Sequence, residues 1–137
     1  MTVWMFLAFE SEMRVRYLDD WVEALSEDEE NEFAATLEGL QVLPRHLWRR
    51  PQFDLLGEAY PGIGEIRFKV ERKQFRVFGF FGPQAREFTM LHACGKQRSN
   101  LRHEMTIAAR RKRMLENGQG TVYGFAIKRR SDRETSQ

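Results

Sequence analysis

Residues 63–96 read IGEIRFKVERKQFRVFGFFGPQAREFTMLHACGK, and they form the most β-rich part of the chain. Three runs of β-branched and aromatic residues follow one another, and much of each run alternates in the period-two pattern of a half-buried strand. The connections at Arg72-Lys73 and at Gly82-Pro83 are too short for a parallel crossover. We therefore predict an antiparallel meander of three strands.

The alternation predicts which charged side chains share a face of this meander. In the first run Glu65, Arg67 and Lys69 lie opposite the apolar residues, and in the second run Arg76 shares its face with two phenylalanines. Because an unpaired buried charge is costly, we expect Arg76 to have a polar or anionic partner. An alternative for the first run is a solvated face on which Arg67 and Lys69 pair with Glu65 and Glu71.

Length and composition limit the class of protein. The 137 residues suffice for one domain with a modest core. The apolar run 3–9 is short, has no basic segment before it and is followed by Glu10, so we expect neither a secretory signal nor a membrane span. The single cysteine, Cys94, gives no disulfide framework and no metal quartet, and is expected to be a packed strand residue. We predict a cytoplasmic protein without metal or cofactor.

Charge is divided unequally along the chain. Up to Gly64 there are 5 basic and 13 acidic side chains, whereas from Glu65 onward there are 17 basic and 7 acidic ones. The second half is expected to attract a polyanion such as RNA or DNA, with affinity from phosphate contacts and counterion release. An acidic partner protein fits the same field.

The N-terminal part predicts a strand and two helices. Apolar residues on both faces of the run 3–9 indicate a well-covered strand. Ser11 is predicted to cap the first helix. Ser26 and Glu29 have the spacing of a capping box for the second helix, which Pro44 is expected to end.

Residues 45–62 are predicted to form an irregular connector, because prolines and glycines interrupt them. Apolar side chains such as Trp48 are expected to hold the connector against the core. Arg45, Arg49 and Arg50 are expected to extend the cationic surface.

After the meander, Ser99 or Asn100 is predicted to cap a third helix that ends near Gly118. Its exposed side is expected to carry the basic run 110–113, which either grips phosphates or is solvated. Residues 121–127 suggest a further short strand. From Lys128 the tail has no apolar residues and is expected to be disordered.

The order strand, two helices, three-stranded meander and helix resembles the RelE/ParE superfamily of toxins, most closely its HigB-type branch, which is often found in prophages. The resemblance covers residues 3–117 and is carried by GEIRFK at 64–69, FRVFGFF at 75–81 and LHACGK at 91–96. These match an L-R pair, a Y-R-V-F-Y run and an L-L-H-G-F run followed by lysines. Gln97 stands where a second lysine is usual.

The resemblance implies an α+β, RelE-like two-layer fold. A small, mostly antiparallel sheet, made of the N-terminal strand and the meander, would be packed by the two N-terminal helices, with a C-terminal basic helix. Residues 1–120 would form the toxin domain, and residues 121–137 the possible strand and the basic tail.

The resemblance also implies the toxin of a type II toxin-antitoxin system, acting as a ribosome-dependent mRNA endonuclease through metal-independent attack of the RNA 2′-hydroxyl. Its partners would be a cognate helix-turn-helix antitoxin, the ribosome and mRNA. Two alternatives stay open: a ParE-like toxin that binds DNA gyrase without cleaving nucleic acid, and an inactive RNA-binding relative.

The implied catalytic residues are Arg67, Arg76, His92 and Lys96. Arginine forks suit phosphate oxygens. Lys96 would hold the phosphate or act as base, and His92 titrates near neutrality, as a general acid or base should. The expected RNA contacts are the basic residues Lys69, Arg72, Lys73, Arg98, Arg110, Arg111 and Arg113.

Overall fold

A computed structural model describes residues 3–95 and 101–129. The elements in chain order are β1 (Met5–Ser11), α1 (Tyr17–Glu23), α2 (Glu27–Gln41), a short 3₁₀ helix (Arg45–Leu47), β2 (Phe53–Leu55), β3 (Gly64–Val70), β4 (Lys73–Phe81), β5 (Glu87–Gly95), α3 (Leu101–Glu116) and β6 (Gly120–Gly124). Within these ranges no helix has the length and apolar character needed to cross a bilayer.

The strands form one mixed sheet in the order β2-β3-β4-β5-β1-β6. β1 runs parallel to β5, and every other neighbouring pair is antiparallel. The α+β class, the mostly antiparallel sheet and the meander are thus confirmed. The predicted sheet of four strands is wrong, because the described residues form six: β2 lies inside the predicted connector, and the further short strand suggested near the C-terminus joins the sheet as β6, at the outer edge of β1.

Helices lie on both faces of the sheet, so the predicted two-layer arrangement is also corrected. One core cluster joins α1 and α2 to one face and includes Phe6, Leu18, Phe33, Leu37, Ile66, Phe68, Val77 and Met90. A second cluster joins α3 to the opposite face and includes Phe9, Phe78, Leu91, Cys94 and Ala108. The charged residues that alternate with the first set therefore lie on the α3 face.

The starts of the two N-terminal helices differ in how well the sequence predicts them. The capping box is confirmed: the Glu29 amide donates to Ser26 Oγ (3.2 Å) and the Ser26 amide donates to Glu29 Oε1 (2.9 Å). The predicted Ser11 cap is wrong. Ser11 ends β1, its hydroxyl accepts from the Val15 amide (3.0 Å), and α1 begins only at Tyr17.

The turn between β3 and β4 consists of Glu71 and Arg72, one residue earlier than predicted. Glu71 adopts a positive φ of 57°, and Lys73 already belongs to β4. This turn sets the register of the two strands, so that Arg67 lies directly opposite Arg76.

A bulge between β4 and β5 aims His92. Phe78 pairs with His92, but the next residue, Gly79, pairs with Met90, which leaves Leu91 as an extra residue on β5. A Cβ at Gly79 would lie 2.3 Å from the Thr89 carbonyl oxygen, so the close approach of the two strands requires glycine. The bulge places His92 on the α3 face together with Phe78.

The C-terminal strand predicted at 121–127 is present at 120–124 and pairs antiparallel with β1. Beyond it, Phe125 and Ile127 pack against the first core cluster. The tail predicted to be disordered lies, from residue 130 on, outside the described residues.

Candidate functional site

Two arginines and one buried carboxylate form the centre of the α3 face. Glu65 Oε1 lies 2.9 Å from Arg76 Nη1 and 3.0 Å from Arg67 Nε. The Glu65 side chain is 7% exposed, while each arginine side chain is 26% exposed. The expected anionic partner of Arg76 is thus Glu65. The pairing of Arg67 with Glu65, considered as an alternative from the sequence, is also present.

A second carboxylate extends this arrangement to the edge of the sheet. Asp54 on β2 accepts hydrogen bonds at Oδ2 from Arg67 Nη2 (2.9 Å) and from Arg50 Nε (2.9 Å). The Arg50 guanidinium, followed by that of Arg67, holds the pKa of the Asp54 carboxyl below its usual value. Arg50, Asp54, Arg67, Glu65 and Arg76 therefore form a continuous series of alternating charges, which we call the charge chain.

His92 lies on the same face, but its ring is occupied by contacts to α3. Nε2 is 2.7 Å from Glu104 Oε2, and Nδ1 is 3.2 Å from Arg111 Nη1. Because Arg111 can only donate, Nδ1 must accept, and the ring proton lies on Nε2 and is donated to Glu104. Burial, which outweighs the opposing effect of Glu104, lowers the pKa of His92. His92 is thus a neutral link between sheet and helix.

The lowered pKa predicts a pH dependence of stability. The unfolded chain takes up a proton at His92 below about pH 6.5, its ordinary pKa, whereas the folded protein resists protonation there. The contribution of neutral His92 to the free energy of unfolding should therefore be fully present above pH 6.5. Below pH 6.5 the free energy of unfolding should fall, by at most about 1.4 kcal/mol per pH unit. Urea unfolding between pH 5 and 8 measures this, and His92→Gln should flatten the decline between pH 6.5 and 5.5. An unchanged decline in that variant would contradict the assignment.

Within the basic run 110–113, Arg111 contacts the sheet and the ring of Tyr17. Its Nη1 donates to the Leu91 carbonyl oxygen (2.9 Å), and its guanidinium lies 4.0 Å from the centre of the Tyr17 ring. Burial lowers its pKa. The prediction that the whole run lies on the exposed side of α3 is therefore wrong: Arg110 and Arg113 are exposed, but Arg111 packs against the sheet because four consecutive helical residues point in different directions.

The remaining predicted RNA contacts lie at one end of the meander or outside the described residues. Lys69 and Arg72 are exposed near the β3–β4 turn. Lys73 is exposed as well and forms an ion pair of 3.3 Å with Glu29. Lys96 and Arg98 belong to residues 96–100, which lie outside the described part of the chain.

Cys94 on β5 is paired with Arg76 on the neighbouring strand β4, and it is buried. Burial raises the pKa of its thiol to about 12. At pH 8 the thiolate fraction of native Cys94 is therefore about a thousandth of that of an ordinary thiol, and because burial also limits access, native Cys94 should react with a thiol reagent at least about a hundredfold more slowly than an exposed thiol. Absorbance of released thionitrobenzoate measures the rate, and urea-unfolded protein, which has the same single cysteine, is the control. Rapid reaction of the native protein would show that this face opens.

Three acidic residues of the site were not predicted as functional. For Glu65 the alternation along β3 was a usable signal, since it placed the carboxylate beside Arg67. For Glu104 the signal was its spacing of seven from Arg111, which puts both on one face of a helix. Asp54 gave no signal, because the three residues of β2 are too few to show a pattern.

The fold and this site define a small α+β protein with two arginines fixed opposite one another on central strands. A model of a phage-derived family, described as Phage derived protein Gp49-like (DUF891), matches residues 20–113. The match covers more than half of the chain, so the protein belongs to this family of toxin-like proteins related to the RelE/HigB type. No curated protein and no solved structure matches the chain.

Proposed function

We propose that this protein is the toxin of a type II toxin-antitoxin system and cleaves mRNA on the ribosome, as the resemblance to HigB-type toxins implies. The observation that carries the proposal is the Arg67–Arg76 pair, fixed across two strands by the buried carboxylate of Glu65. Membership of the toxin-like Gp49 family supports the toxin role.

The arginine pair suits the charge that develops when a ribose 2′-hydroxyl attacks its own phosphate. The phosphorane carries extra negative charge on its equatorial oxygens, and donors that are already oriented stabilise it without reorganisation. Each guanidinium has five N–H donors in a fixed fork. Glu65 engages one nitrogen of Arg76, and the Arg76 side chain is 26% exposed, so part of it is open to an approaching phosphate.

Proton transfer is assigned to Lys96 in this proposal, and not to His92. Both ring nitrogens of His92 are engaged by α3. Lys96 lies outside the described residues and follows Gly95, the last residue of β5, in the sequence. In this proposal Lys96 holds the phosphate or, with a pKa lowered by neighbouring cations, acts as the base, as the resemblance to HigB-type toxins implies.

The proposed partners are a helix-turn-helix antitoxin, mRNA and the ribosome. An acidic or apolar segment of the antitoxin would cover part of the basic second half. If the exposed residues Arg110 and Arg113 belong to that contact, reversing their charges should weaken the complex, and an equally tight complex would exclude this face of α3.

The proposal is tested by mapping the 5′ ends of a defined messenger in a translating bacterial extract. The wild-type protein should create new ends inside the reading frame only during translation. Removing one charge-stabilising contact costs about 3 kcal/mol in the barrier, so Arg76→Ala should slow cleavage about a hundredfold. Lys96→Ala should do the same. The exposed Arg14→Asn in the loop after β1 is the control with equal loss of charge and should cleave normally.

Two outcomes would contradict this proposal. An intact messenger with the wild-type protein would exclude the nuclease, and broken DNA in cells that express the protein would then point to gyrase. Cleavage that persists when the attacking nucleotide is replaced by its 2′-deoxy form would exclude the 2′-hydroxyl mechanism.

A further inference from the structure

A cationic cleft of about 890 Å³ lies between the 3₁₀ helix, β2 and the end of β4. Arg45, Arg49 and Arg50 line it, and all three are exposed. Asp54 is the one acidic residue among the described lining residues, and it already accepts hydrogen bonds from Arg50 and Arg67. The cleft therefore has an excess of positive charge suited to an anionic ligand.

The cleft also has flat and apolar surfaces beside its charges. The guanidinium of Arg45 lies 4.2 Å from the centre of the Phe81 ring, which fixes it as a plane. Leu55 is 59% exposed at the same cleft, and the buried rings of Trp48 and Phe53 form its floor. Nucleobases stack on such guanidinium planes and on apolar side chains, whereas carboxylates of an acidic protein do not need them.

The cleft is continuous with the proposed catalytic arginines through the charge chain. Asp54 Oδ2 contacts Arg50, which lines the cleft, and Arg67, which belongs to the arginine pair. Trp48 and Phe53 of the cleft belong to the first core cluster, and Phe81 packs against it. A polynucleotide with a phosphate at Arg67 and Arg76 would therefore reach the cleft around the β2 edge, where Asp54 and Arg50 lie.

We propose that this cleft is a binding subsite for single-stranded RNA, with phosphates on Arg45 and Arg49 and a base against the Arg45–Phe81 stack. The subsite rests on the proposed function in that it takes RNA as the ligand. It adds a prediction of its own, that RNA binds at the cleft, away from the arginine pair at which cleavage is proposed.

The test measures binding of a fluorescent 12-nucleotide single strand with 2′-O-methyl riboses, which cannot be cleaved by 2′-hydroxyl attack. Arg45→Gln with Arg49→Gln removes two contacts and leaves Arg50 and the charge chain in place. The matched control, Arg14→Asn with Lys128→Gln, removes two exposed charges outside the cleft. Fluorescence anisotropy from 50 to 300 mM NaCl gives the affinity and its salt dependence for each protein.

The cleft variant should bind about tenfold more weakly than the control, and the slope of log K against log salt should be shallower by about 1.4, since each phosphate contact on a single strand contributes about 0.7. Equal affinities and slopes in the two variants would overturn the subsite. Equally tight, cleft-dependent binding of a 12-residue polyglutamate would assign the surface to an acidic protein instead. Messenger cleavage is a separate readout. If the protein cleaved no messenger, the binding result at the cleft would still stand. If the cleft variant bound RNA normally, the proposed nuclease would still be tested by Arg76→Ala.

Discussion

Replacing Glu65 by alanine is expected to lower the free energy of unfolding by about 3 kcal/mol. This loss is near the lower end of the range for a broken buried ion pair, because the two arginines that lose the carboxylate are partly exposed and can be hydrated. Two positive groups, Arg67 and Arg76, would then face one another across β3 and β4 without the carboxylate that lies 2.9–3.0 Å from both. Urea unfolding followed by far-UV circular dichroism measures the loss.

Glu65→Gln and Lys73→Ala serve as controls. Glu65 Oε2 is buried and has no hydrogen-bond partner among the described residues, so glutamine can place its amide nitrogen there and keep an oxygen towards the arginines. This variant removes the charge while keeping the shape, and should cost about half as much. Lys73→Ala breaks the exposed ion pair with Glu29 and should change stability by at most about 1 kcal/mol. A Glu65→Ala protein as stable as Lys73→Ala would show that the carboxylate does not hold the arginine pair.

The alternation along the meander was sufficient to predict on which face of the sheet Arg67 and Arg76 lie. It put Glu65 and Arg67 on one side of β3 and Arg76 with the phenylalanines on the same side of β4. What it could not give was the register, because a shift of one residue in the turn changes which side chains meet. The turn at Glu71 and Arg72 therefore decides that both arginines reach one carboxylate.

The parts of the fold that the sequence did not reveal depend on long-range pairing. β1 and β5 lie far apart in the chain, and their parallel contact leaves no local pattern. β2 has only three residues, and it is a strand because the edge of β3 is available to it. The layer formed by α3 was missed since the alternation of the meander shows two faces without showing that both are covered.

The role of His92 shows the same limit in the candidate site. Its residue type suggested acid-base chemistry, but protonation and access depend on what packs around the ring. Glu104 and Arg111 reach it from α3, a helix that the sequence places correctly along the chain but not in space. Burial then lowers the pKa that had made the residue attractive.

Trp48 links the connector to the core and to the proposed RNA subsite. It was predicted to hold the connector down, and it is 5% exposed. Its ring centre lies 5.0 Å from that of Phe81 and 5.2 Å from that of Phe88, and Nε1 donates to the carbonyl oxygens of Leu40 (3.0 Å) and Leu43 (3.2 Å) at the end of α2. Trp48 thus packs the sheet and satisfies helix-terminal carbonyls at once.

Trp48→Ala is expected to lower the free energy of unfolding by about 4 kcal/mol, because truncating a core aromatic leaves a cavity and removes the two hydrogen bonds of the indole N–H. Domains of this kind have a total stability of about 5–15 kcal/mol, so a loss of this size would leave part of the protein unfolded at 37 °C only at the lower end of that range. Denaturation is best followed by far-UV circular dichroism, since the substitution removes one of three tryptophan fluorophores.

Trp48→Phe separates the two contributions. Phenylalanine keeps an aromatic ring among the neighbours of Trp48 but has no N–H. The variant therefore loses the hydrogen bonds to the carbonyl oxygens of Leu40 and Leu43. Trp4 Nε1 still donates to the Leu43 carbonyl oxygen (2.7 Å). We expect a loss of about 1–2 kcal/mol, at most half that of alanine, because the Leu40 carbonyl still accepts from the Leu43 amide (3.0 Å) and the smaller ring leaves only a small cavity. Equal losses for both variants would mean that the hydrogen bonds, and not the packing, hold the connector. If Trp48→Ala lost less than about 1 kcal/mol, the connector would not belong to the core, and the floor assigned to the RNA subsite would not be rigid.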